Sequence, residues 1–101
     1  MYRGTTPTLK FKLDIDISRI TDLIVSFSQG GEVLLSKEKS EVLFEPETNS
    51  ILVALTQEET LSFESNKDLH IQIKLKTDNN KVSSSKYINT YVNETLEETI
   101  L

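Results

Sequence analysis

Strict alternation is the feature that leaves this chain the fewest folds to choose from. From Leu69 to Lys76 apolar and polar residues change places at every step, with Leu69, Ile71, Ile73 and Leu75 in one phase and His70, Gln72, Lys74 and Lys76 in the other. Successive side chains of an extended strand point to opposite faces, so a period of two builds a sheet with one dry and one wet face. The same period appears in Leu9, Phe11 and Leu13 against Lys10 and Lys12. It recurs in Leu23, Val25 and Phe27 against Ser26 and Ser28, and in Ile51, Val53 and Leu55. Composition agrees, since a single alanine stands against 26 Ile, Val and Thr residues. β-Branched side chains lose rotamer freedom in a helix and pack well on a pleated surface.

Turn residues punctuate these runs. The first strand covers Thr8 to Leu13, and its alternation continues through Asp14, Ile15, Asp16 and Ile17, so it runs on or bends there. Ser18 to Asp22 is a connector with room for one helical turn capped by Ser18. Leu23 to Gln29 and Glu32 to Lys37 flank Gly30-Gly31, a hairpin signal because primed turns need positive φ. Lys37 to Ser40 is a charged turn, Glu41 to Glu45 a short strand stopped by Pro46, and Glu47-Thr48-Asn49 a turn before the strand Ser50 to Leu55. Thr56-Gln57-Glu58-Glu59 matches a capping box and predicts a short helical turn near 57–62. Asp78-Asn79-Asn80 separates the Leu69 strand from a long last strand, Lys81 to Asn93, where Ser83-Ser84-Ser85 interrupts the phase. A bulge at the serines would take Lys86 off the core face.

About seven strands at this spacing predict an all-β fold, an antiparallel immunoglobulin-like sandwich ahead of a small barrel. Residues 1–7 form an N-terminal arm, 8–93 a single sandwich domain and 94–101 an acidic tail. The expected core holds Phe11, Leu13, Val25, Phe27, Val53, Leu55, Ile71, Ile73 and Leu75.

Charge and composition narrow the function. Eleven basic against sixteen acidic residues give a net charge of −5, which argues against nucleic acid or an anionic membrane as partner. The absence of cysteine removes disulfides and thiolate metal sites. Leu, Ile, Val and Phe supply 32 of 101 residues, enough for a packed core. No apolar run approaches a membrane span, and the start lacks a signal peptide's apolar stretch, so a soluble domain without secretion by that route is expected.

No constellation of residues points to catalysis, and no enzyme activity, metal or cofactor is expected. His70 lies on an outward face without a nucleophile or orienting group converging on it. Asp14 and Asp16 share a face, with Asp22 nearby, but nothing supplies the six or more oxygens that calcium takes, so they read as a solvated face. The pairs Lys10/Lys12 and Lys74/Lys76 would make a basic patch if their strands were neighbours, and otherwise keep sheets soluble. Asn93-Glu94-Thr95 is an accidental glycosylation sequon in a chain of this kind. Tyr87 and Tyr91 share one face of the last strand, and if Ile88 and Val92 face the core both are exposed as a protein-binding surface. The competing reading has them covering lysine stems. The polar arm ending in Pro7 is the second candidate contact, as an extended segment docking on a neighbour.

The opening Met1-Tyr2-Arg3-Gly4-Thr5-Thr6-Pro7-Thr8, the Thr56-Gln57-Glu58-Glu59-Thr60 step and the strand order resemble small proteins of phage and prophage structural modules. These are single immunoglobulin-like domains similar in plan to the N-terminal domain of phage baseplate upper proteins. The resemblance implies a non-catalytic virion component of the tail or baseplate, meeting other phage structural proteins or itself. It places the chain in the virion or the host bacterial cytoplasm and brings no catalytic residues. The alternative is a small carbohydrate- or ligand-binding β-sandwich, which needs aromatics exposed on one concave face.

Overall fold

In the computed structural model, which describes residues 1–85 and 88–96, two antiparallel sheets share one core. The strands are β1 (Thr8–Lys12), β2 (Ile20–Gln29), β3 (Glu32–Glu38), β4 (Leu43–Glu45), β5 (Ser50–Ala54), β6 (Lys67–Thr77), β7 (Val82–Ser84) and β8 (Ile88–Val92). One short helix, α1 (Gln57–Leu61), joins β5 to β6. The smaller sheet has the order β1-β5-β4, and the larger the order β3-β2-β6-β7, with β8 also paired to β6. In immunoglobulin terms the first sheet holds strands B, E and D and the second C′, C, F and G. The fold is an immunoglobulin-like sandwich rather than a barrel. No strand among the described residues fills the A position beside β1.

Alternation becomes burial where two sheets meet. Val25, Phe27, Val53, Leu55, Ile71, Ile73 and Leu75 are buried as expected, joined by Leu23, Ile51, Phe63, Leu69 and Val92. Phe27 and Phe63 stack with ring centroids 6.1 Å apart, bringing the segment after α1 onto the larger sheet. Phe11 and Leu13 are only half-buried, a correction to the expected core. They flank the end of an edge strand, where one side of each side chain lacks a neighbour.

The turns follow their residues. Gly30 and Gly31 take φ of +59° and +81° between Gln29 and Glu32, the left-handed pair that a two-residue hairpin requires. Thr56 and Glu59 form both halves of the capping box that starts α1. Asn49 closes the β4–β5 turn at φ +51°, and its side chain donates to Leu13 O and Ile15 O while accepting from Ile17 N–H. Those bonds bend the chain after β1, so the strand ends at Lys12 instead of running on. The 3₁₀ turn Ile17–Arg19 is capped by Asp16, which accepts from Ser18 N–H and Oγ–H, and not by Ser18.

The predicted last strand is two. β7 pairs Lys74–Lys76 and β8 pairs Lys67–Ile71, and between them Ser85 Oγ accepts from the Ile73 amide. Ser83 and Ser84 continue the ladder against Leu75 and Lys74, and Ser85 ends it by accepting from the Ile73 amide through its hydroxyl oxygen. Lys86, whose displacement by a bulge was expected, lies outside the described residues, as do Tyr87 and residues 97–101.

Candidate interaction surface

β8 sets the position of Tyr91. Antiparallel pairing puts Val92 opposite Lys67 and Tyr91 opposite Asp68. Val92 is fully buried, so its neighbour Tyr91 faces outward, and 46% of it is exposed. Ile88 shares the phase of Val92 but stays 37% exposed beside the opening at the end of the sandwich. The residue directly across from Tyr91 is Asp68. Tyr87, the other half of the expected surface, lies outside the described residues.

A second tyrosine joins Tyr91 from the far end of the sequence. Residues 1–7 do not project toward a neighbour. Tyr2 forms a parallel bridge with Asn93, Arg3 N–H donates to Asn93 O, and Asn93 N–H donates to Met1 O. The Met1 amino nitrogen reaches Tyr91 O at 3.0 Å. Arg3 fixes the middle of the arm by donating from Nε to Phe63 O at 2.8 Å and from Nη2 to Leu61 O at 2.9 Å, at the C-terminal end of α1. Gln57 and Thr60 donate to Gly4 O and Thr5 O. Laterally paired residues share a sheet face, so Tyr2, which is 60% exposed, lies beside Asn93 on the Tyr91 side. Local patterning has no signal for this neighbour, because the two partners stand at opposite ends of the chain.

The remaining candidates do not converge. His70 is half-buried on the outer face of the larger sheet between Ser28 and Asn89. Asp16 is occupied as a cap, and the Ser18 hydroxyl and then the Ser18 amide hold its carboxyl below the usual range. Asp22 accepts from Leu23 N–H. Lys10 and Lys12 stand on β1 and Lys74 and Lys76 on β6, strands of different sheets, so the conditional basic patch does not form. Asn93 of the sequon donates through its side chain to Met1 O. A shallow concavity of about 420 Å³ on the larger sheet mixes Lys74 and Lys76 with Asp22 and Glu38 around Ile24 and Val82.

Among the described residues no group of three or more His, Asp or Glu side chains is placed to hold a metal ion, and no helix is long and apolar enough to cross a membrane. The fold is that of an immunoglobulin-like sandwich. No protein-family model, no curated protein and no solved structure matches the chain.

Proposed function

We propose that the protein is a non-catalytic interaction module, a phage or prophage virion component of the tail or baseplate that works through protein–protein contacts. The observation supporting this most directly is the exposure of Tyr91 on β8, with Tyr2 beside it on the same face. Tyrosine brings large contact area with only two side-chain torsions to fix, so it is favoured where a surface must bind. Val92 beneath is locked in the core, which holds the strand rigid under the contact. A sandwich of this kind offers faces and edges for a partner.

Two measurements test the reading. Proteomics of purified particles released from the source bacterium should find the chain in the particle; its absence from intact virions overturns the assignment. Separately, replacing Tyr2 and Tyr91 by serine should weaken self-association or capture of a co-purified tail protein while the melting transition stays nearly unchanged. Unaltered assembly in that variant removes the tyrosine surface. Retention on an immobilised polysaccharide column instead would favour the carbohydrate-binding alternative.

A further inference from the structure

The edges of this sandwich are finished to different degrees. On β3 a bulge puts Leu34 out of register, between pairs Phe27–Leu35 and Ser28–Val33, and Lys37 points inward. Both devices discourage a foreign strand from pairing. β4 has three residues, and β8 carries the arm at Asn93. The edge of β1 has no bulge, no inward charge and no covering segment among the described residues. Its one device is the lysine pair Lys10 and Lys12, which repels a basic strand and admits an acidic one. Leu13 N–H donates to Asn49 O and Leu55 N–H to Pro7 O, which sets the phase of the β1–β5 ladder. Leu9 and Phe11 therefore turn their backbone groups to β5, and those of Thr8, Lys10 and Lys12 point away from the sheet. No strand among the described residues meets them. This is the empty A position; Met1 to Arg3 pair at the end of β8, and Gly4 and Thr5 are held by α1.

Two observations define what would fit there. On the solvent side stand Lys10 and Lys12; Lys10 holds Glu45 at 3.3 Å, and Lys12 makes no ion pair among the described residues. On the core side, past the end of β1, an opening of about 250 Å³ has apolar walls from Leu13, Ile15, Ile73, Leu75 and Ile88, completed by Lys12, Asp14 and Ser83 to Ser85. A strand laid beside β1 turns alternate side chains to these two environments.

We propose that the β1 edge is a strand-acceptor site for an extended protein segment that alternates acidic and apolar residues. Its acidic side chains meet Lys10 and Lys12, and its apolar ones close the opening beside Leu13. The site is on the other sheet from Tyr91 and does not depend on the tyrosine surface.

The test titrates the ¹⁵N-labelled chain with a synthetic eight-residue peptide alternating glutamate and valine, against a lysine–valine control. The glutamate peptide should slow hydrogen exchange at the Lys10 and Lys12 amides and leave Leu9 and Phe11, already paired, unchanged. The lysine peptide should bind about tenfold more weakly. K10E/K12E should reverse that preference, its dispersed spectrum reporting the fold. Should that variant not fold, K12Q replaces it, with about threefold weaker binding of the glutamate peptide expected. Equal binding of both peptides, no binding at millimolar concentration, or protection on β3 or β8 in place of β1 overturns the proposal.

Discussion

Glu59 holds two parts of the fold at once, and removing its charge tests the energetic reading of the core edge. Its Oε1 accepts from the Thr56 amide at 2.8 Å, and its Oε2 meets Lys37 Nζ at 2.6 Å. Lys37 is only 8% exposed because it faces inward from β3. Glu59→Gln keeps the capping box, since glutamine can fill the same role, but leaves the ammonium buried without a counter-charge. Breaking a buried pair from one side costs about 3–5 kcal/mol; with Glu59 itself one-fifth exposed the expected loss is about 2–3 kcal/mol. For a domain of this size that lowers Tm by about 10–20 °C. Lys37→Met removes the buried charge and keeps the stem, so it should cost under about 1 kcal/mol, and the double variant should recover most of the Glu59→Gln loss. Urea unfolding followed by circular dichroism measures all three at pH 7. The carboxyl adds a pH signature. Burial acts to raise its pKa, but the hydrogen bonds from Lys37 and Thr56 outweigh it and hold the group below the usual glutamate value. A lowered folded pKa means stability that is complete above the unfolded value of about 4.3 and is lost as pH falls through the folded one. The gap between wild type and Glu59→Gln should therefore be full at pH 7 and shrink only as the pH falls below the unfolded value. Lys37→Met proving as damaging as Glu59→Gln, or a gap that does not shrink at all on acidification, refutes the argument.

Asn49→Ala should lose about 2–4 kcal/mol in the same assay, because three side-chain hydrogen bonds go and alanine is strained at φ +51°. Asn49→Gly should recover only the backbone part, about 1 kcal/mol. Gly31→Ala should cost about 1 kcal/mol or more at φ +81°, with nothing within 4 Å of the new methyl to blame, and equal stability would show that the hairpin relaxes to another turn. Thermal melts with and without a chelator should coincide; a drop of several degrees would reveal a structural metal.

Side-chain phase carried most of the architecture. Leu69 to Leu75 and Leu23 to Phe27 alternate because each strand has one dry face, and both reappear as the paired centre of the larger sheet. Gly30-Gly31 and the Thr56–Glu59 box were legible because their chemistry is local. What stayed hidden depends on which strands are neighbours. Lys10 and Lys74 look equivalent in sequence, yet they stand on different sheets. Phe11 has the phase of a core residue, but β1 ends a sheet and the ring is only partly covered. Lys37 reads as a turn charge and is in fact enclosed, because its partner Glu59 lies beyond two further strands. At the candidate surface, the outward phase of Tyr91 could be read from Val92, whereas Tyr2 enters through a bridge spanning nearly the whole chain.

That bridge also sets an order of events during synthesis. β2 and β3 can pair as soon as their two-residue turn has been made, and β1 must wait for β5. Met1 to Arg3 have to wait for Asn93, because their backbone partners belong to the end of β8. At about 5–20 residues per second, Met1 to Arg3 spend roughly 5–20 s without their native backbone partners on every pass of the ribosome. Over that interval the backbone of Met1 to Arg3 is unfastened, and any protein able to hold it has its opportunity before the bridge to Asn93 closes.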